Sequence, residues 1–86
     1  MSDDLDVRRK RALFRAQHRG TKEMDWLIGR YAAAKLVGMD GAALDHFEQL
    51  LAISDVDLNA WIMKPDVLVE REFEAAIADV RAFHAL

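Results

Sequence analysis

The sequence predicts an all-α fold, on three observations. Apolar residues recur at three- and four-residue spacing through five segments, the period of a helix face. Capping residues and glycines stand between those segments. Apolar and polar positions nowhere alternate over four to eight residues, as they would in a half-buried strand. Short connections between amphipathic helices imply a compact antiparallel bundle. A chain of 86 residues has room for one core, so residues 1–86 form one domain.

The first helix is expected from Asp4 to His18, capped by Asp3 or Asp4, with Leu5, Ala12, Leu13 and Ala16 as its apolar stripe. Gly20 reads as the residue that ends it in left-handed conformation, and Thr21 as the next N-cap. The second helix then runs from Lys22 to Val37 and is closed by Gly38. Its Met24, Leu27, Ile28, Tyr31 and Leu36 share one face, and Gly29, with no side chain, lets a neighbouring helix come close. The third helix follows the cap Asp40 and turns Leu44, Phe47, Leu50 and Leu51 inward. The fourth is short, Val56 to Met63, capped by Ser54 or Asp55 and ended by Pro65, which disfavours helical geometry in the residue before it. The fifth runs from about Asp66 to the end, with Phe73, Ile77, Val80 and either Phe83 or His84 at helical spacing.

Composition removes several classes of function. With no cysteine, a disulfide framework, a thiolate metal site and a cysteine nucleophile are all excluded. No apolar run approaches the ~20 residues needed to span a bilayer. Met1-Ser2-Asp3-Asp4-Leu5-Asp6 has neither the apolar core of a secretory signal nor the basic character of a mitochondrial presequence. The expectation is a cytoplasmic, bacterial protein without membrane insertion. Charge is unevenly placed: residues 1–23 hold seven Lys/Arg and four acids, residues 24–86 five and eleven. The first helix is thus a basic element on an acidic body.

The most informative stretch is Arg19-Gly20-Thr21-Lys22-Glu23, followed by Met24-Asp25-Trp26. As local chemistry it is a helix end and a helix start, with Glu23 favoured in a first turn by the macrodipole. As a site it is a stiff bend whose Arg19 and Glu23 project from opposite sides and offer opposite charges to a partner. Trp26, out of phase with the apolar face, is expected to be partly exposed beside it, whereas Trp61 reads as a core anchor.

Arg19-Gly20-x-x-Glu23 with Asp25 resembles the RGxxE signature of the small FAD assembly factors of succinate dehydrogenase, the SdhE family, whose mitochondrial relatives are called succinate dehydrogenase assembly factor 2. A second block agrees in order and distance: Leu50-Leu51, then Asp55-x-Asp57-Leu58-x-x-Trp61-Ile62-Met63. The chain departs from the family at His18, where many members carry arginine, and at Lys64-Pro65, where some have a longer turn. The resemblance implies a non-enzymatic assembly factor, a monomer when free, that binds the flavoprotein subunit of succinate dehydrogenase and often of fumarate reductase. It would promote formation of the covalent bond between FAD and a histidine of that client, holding no cofactor stably itself. The residues it implies for partner binding are Arg19, Gly20 and Glu23, with His18, Lys22 and Asp25 beside them.

Other constellations point nowhere specific. His18, His46 and His84 lack ligand spacing. Glu70, Glu72 and Glu74 read as a solvated face. No Ser–His–Asp set, phosphate-binding glycine loop or HExxH pattern occurs, so independent catalysis has little support. The run Arg8-Arg9-Lys10-Arg11 suggests the alternative of a small helical nucleic-acid-binding regulator, opposed by the acidic whole and by the three acids just before the run.

Overall fold

Five α-helices carry the chain in a computed structural model that describes residues 2–64 and 66–86. They are α1 (Ser2–Gln17), α2 (Lys22–Lys35), α3 (Gly41–Leu51), α4 (Asp55–Met63) and α5 (Glu74–Phe83), with 3-10 turns at Leu36–Gly38 and Arg71–Phe73. There is no strand among the described residues, and the all-α reading holds. The molecule measures 42 × 26 × 22 Å.

Antiparallel packing of α1 on α2 is set by small residues. Ala12 and Ala16 are the fully buried positions of α1. A Cβ on Gly29 would lie 3.2 Å from the Gln17 Cα and 3.3 Å from the Ala16 carbonyl oxygen. The two backbones therefore meet at Gly29, as its lack of a side chain predicted. α3 runs in the direction of α1: Leu5 approaches Gly41, and Arg8 reaches Asp45 and Glu48. Core side chains come from each remaining helix, with Met24, Leu27 and Ile28 of α2, Leu44 and Leu50 of α3, Leu58 and Ile62 of α4, and Val80 of α5 fully buried. Trp61 is buried against Phe73, ring centroids 6.0 Å apart.

Polar ties close the far end. The Tyr31 hydroxyl donates to Asp79 Oδ2 at 2.6 Å. Burial and that carboxylate together push the Tyr31 hydroxyl above its ordinary pKa. His84 Nε2 donates to the Leu27 carbonyl at 2.7 Å, and Arg81 donates to the carbonyl of Ile62.

Several boundaries differ from expectation. α1 begins at Ser2, so positions 3 and 4 lie inside its first turn and not at its N-cap position. It ends at Gln17, and Leu5 and Leu13 are only half-buried. α2 stops at Lys35 and tightens into the 3-10 turn that Gly38 closes. No glycine among the described residues has a positive φ, so neither Gly20 nor Gly38 is a left-handed cap. Thr21 and Asp40 are N-caps as expected, their side chains accepting from Met24 and Ala43 N–H groups. Ser54 is the cap of α4, which frees Asp55 for another role. α5 begins at Glu74, eight residues later than expected, because Asp66–Glu70 forms turns and extended chain before the 3-10 turn. The helix-ending role given to Pro65 lies outside the described residues, although α4 does end at Met63.

Gly29→Ala tests the α1–α2 contact. The added methyl meets backbone on the facing helix, and overpacking of this kind costs about 1–3 kcal/mol, against about 1 kcal/mol gained in helix propensity. The expected outcome is a lower urea midpoint with unchanged m-value; an unchanged or raised midpoint would mean that the helices separate freely.

Candidate functional site

The joint between α1 and α2 is built by two carboxylates. Thr21 caps α2 through its hydroxyl, 3.2 Å from the Met24 N–H, which fixes where the chain must enter the helix. Asp25, in the first turn of α2, accepts from the Arg19 N–H. Asp55, the first residue of α4, accepts from the Gly20 N–H at 2.8 Å with Oδ2 and from Arg19 Nε at 2.7 Å with Oδ1. One carboxylate thereby clasps two successive residues of the bend.

Arg19 is not a free arm. Its guanidinium also donates to the carbonyls of Leu51 (2.6 Å) and Ile53 (2.7 Å), and its side chain is only 10% exposed. These carbonyls stand at the last residue of α3 and two residues beyond it, where helical partners run out. A planar fork with several donors suits this task, which a lysine would not reproduce. The expectation that Arg19 and Glu23 both project from the bend is therefore corrected: Arg19 points inward and welds the α1–α2 joint to the α3–α4 joint.

Gly20 acquires a different reason for being glycine. A Cβ there would come within 2.7 Å of Asp55 Oδ2, so any side chain dislodges the carboxylate that accepts the Gly20 N–H. The requirement is close approach, not φ.

Glu23 remains on the outside. It is exposed, and its Oε1 accepts from Asn59 Nδ2; among the described residues nothing donates to its other oxygen. Glu23, Met24, Val56, Asn59 and Lys64 line an open cleft of about 360 Å³ between α2 and α4, with Val56 80% exposed at its rim. On the other side of α2, a second cleft of about 360 Å³ is lined by Gln17, Lys22, Asp25, Trp26 and Arg30. Trp26 is 48% exposed there, as expected. Its ring is tilted 4.5 Å from His84, with the Arg30 guanidinium 5.7 Å from the ring centroid. Lys22 is exposed, and His18 stands outside, stacked on Phe14. Of the six residues singled out from sequence, Arg19, Gly20 and Asp25 form the internal brace, while Glu23, Lys22 and His18 face solvent. Sequence reading assigned no site role to Asp55, Val56 or Asn59; for Asp55 the signal was its place in the second motif block.

The three histidines are dispersed and each serves a local bond: His18 to the Phe14 carbonyl, His46 to that of Glu72, His84 to that of Leu27. Two of the four cations in the run 8–11 are also tied down. Arg8 pairs with Asp45 and with Glu48 at 2.7 Å, and Arg9 binds Asp6 at 3.0 Å and the Met39 carbonyl at 2.7 Å. No helix among the described residues is long and apolar enough to cross a membrane.

Helices arranged in this way, around a bend locked by the RGxxE arginine and the aspartate of a second block, define a small all-α domain organised about one braced interhelical corner. The chain belongs to the family of the flavinator of succinate dehydrogenase, Sdh5, whose model matches residues 10–84. It is 42% identical over 60 residues to the FAD assembly factor SdhE of Acetobacter pasteurianus, covering 70% of this chain and 55% of that protein. It is 34% identical over 62 residues to the mitochondrial succinate dehydrogenase assembly factor 2 of Debaryomyces hansenii, covering 72% and 44%. Its likeness to the protein of the same name in Dictyostelium discoideum is 28% over 81 residues, covering 94% and 57%. The chain thus spans about half the length of these curated relatives. No solved structure matches it.

The brace carries a pH signature. Burial pushes the Asp55 carboxyl up, but the hydrogen bonds from Arg19 and the Gly20 N–H, with the charge of Arg19, outweigh it and hold the pKa below the ordinary 3.8. A group with a depressed folded pKa adds stability that is fully present above the unfolded value and disappears as pH falls through the folded one. Asp55→Asn is expected to cost about 2 kcal/mol at neutral pH, the scale of charged hydrogen bonds in a part-buried setting. The gap from wild type should close as the pH drops below 3.8. Urea unfolding of both proteins across that range measures it; a gap independent of pH would show that the carboxylate charge contributes nothing.

Proposed function

We propose that this chain is a non-enzymatic assembly factor that binds the flavoprotein subunit of succinate dehydrogenase, and that of fumarate reductase, and promotes covalent attachment of FAD to it. The observation that supports this most is the division of labour within the RGxxE motif. Its arginine and glycine are consumed in an internal clasp with Asp55, and its glutamate is left outside with one free oxygen beside an apolar cleft.

Flavin attachment is chemistry of the client and its cofactor. The helper needs only to favour one client conformation, through affinity that differs between conformations. A rigid corner suits this, because contacts made from a preformed surface lose little to ordering on binding. Glu23 offers a charge-assisted hydrogen bond at the lip of the cleft, and the exposed Val56 and Trp26 offer apolar area on the two sides of α2. No residue is assigned to holding FAD, which remains a ligand of the client. The nucleic-acid reading loses ground because Arg8 and Arg9 are engaged internally.

Glu23→Ala separates function from folding, since Glu23 is exposed and its loss leaves the Asp55 clasp in place. Co-expression of the variant with the client subunit, followed by in-gel fluorescence of covalent flavin after denaturation, should show flavinylation reduced at least about tenfold, the scale of one charged contact of 1.4 kcal/mol or more. Circular dichroism should match wild type, and stability should fall by no more than about 1 kcal/mol, the scale of the first-turn charge that is lost. Full fluorescence with the variant would reject the motif's role.

A further inference from the structure

We propose that the outward face of α1 is a second docking surface, a cationic stripe around an aromatic anchor, which takes an acidic surface of the client flavoprotein. This rests on the client reading above and extends it to residues outside the RGxxE motif.

The basic residues of α1 fall into two groups. Arg8 and Arg9 lean toward α3 and the Met39 turn, where carboxylates and a carbonyl receive them. Lys10, Arg11 and Arg15 are exposed and in no ion pair among the described residues. Between them stands Phe14, 63% exposed, its ring stacked 3.9 Å from that of His18. His18 Nδ1 donates back to the Phe14 carbonyl at 2.8 Å, which holds the pair in one orientation. Val7, 45% exposed, lies on the same side, since Val7, Arg11, Phe14 and His18 are spaced by four, three and four residues. At 1.5 Å per residue the stripe is about 17 Å long.

Charge complementarity identifies the occupant. Three cations without a carboxylate partner among the described residues, on the basic element of an otherwise acidic chain, fit a surface rich in Asp and Glu. An ordered, solvent-exposed aromatic stack gives such a contact the desolvated centre that carries affinity. A membrane is a poorer fit, because the apolar side of α1, Ala12 and Ala16 with Leu5 and Leu13, is packed on the core. The stripe also runs directly into the braced corner, as His18 precedes Arg19. The clasp of Asp55 on Arg19 and Gly20 holds this end of α1 against the start of α4, so the stripe keeps a fixed position relative to Glu23.

The test is binding kinetics on immobilised client subunit at low and moderate ionic strength. The expected result for Lys10→Glu/Arg11→Glu/Arg15→Glu is association slowed at least about tenfold at low salt with a flattened salt dependence. Phe14→Ala should accelerate dissociation severalfold. The neutral triple variant Lys10→Gln/Arg11→Gln/Arg15→Gln gives the same direction should the charge reversal disturb folding, which circular dichroism reports. Association rates and salt slope equal to wild type in both triple variants would overturn the proposal. Wild-type binding to equimolar phosphatidylcholine–phosphatidylserine vesicles, lost in the triple variants while client kinetics stay unchanged, would also overturn it and assign the face to anionic membranes. Failure of the wild type to bind the client at all would overturn the client reading as well, which distinguishes the two.

Discussion

The Asp55 carboxylate sits where the α1–α2 joint meets the α3–α4 joint, and the geometry of the exposed corner follows from it. One oxygen takes the Arg19 guanidinium and the other the Gly20 N–H, while the same guanidinium satisfies the carbonyls of Leu51 and Ile53. Two chain segments more than thirty residues apart are thereby held as one body. Coulomb attraction alone would contribute little so near the surface. The constraint comes from pairing all three guanidinium nitrogens and the Gly20 N–H in a part-buried setting, where losing one partner strands the others. Gly20 follows as a consequence: the carboxylate occupies the place of its Cβ.

In the proposed function, the contacts come from what the clasp leaves outside. With the motif's arginine turned in, the outward chemistry passes to Glu23, to the apolar lips at Val56 and Trp26, and to the uncommitted cations of α1. The basic helix is likewise divided. Arg8 and Arg9 fasten it to α3 and to the Met39 turn, and its remaining charges project into solvent. The small residues Ala12, Ala16 and Gly29 let α1 lie against α2 by its backbone, which turns its long side chains outward or toward α3.

Much of the fold was legible because it rests on periodicity and capping. The inward faces of α2 and α3, the caps Thr21 and Asp40, and the close approach at Gly29 all follow from local rules. What local rules missed depended on partners distant in sequence. Gly20 looked like a left-handed helix end because glycine after a helix commonly is one; the actual reason lies at Asp55, on another helix. Arg19 looked like a projecting arm for the same cause, as nothing nearby in sequence announces the carbonyls of Leu51 and Ile53. The late start of α5 reflects the stretch Asp66–Glu70, where helical spacing of Phe73, Ile77 and Val80 was extended back beyond the residues that carry it. The RGxxE motif is recognisable by resemblance, whereas its internal clasp depends on Asp55, 35 residues along the chain from Gly20.

A double-mutant cycle on Arg19→Ala and Asp55→Ala, read by urea unfolding, tests most directly whether the corner is one clasped unit. A clasped corner gives a coupling energy of at least about 1 kcal/mol, because the second truncation removes a partner that the first has already stranded. Single effects that add within about 0.3 kcal/mol would contradict it, showing two independent contacts at a corner that something else holds.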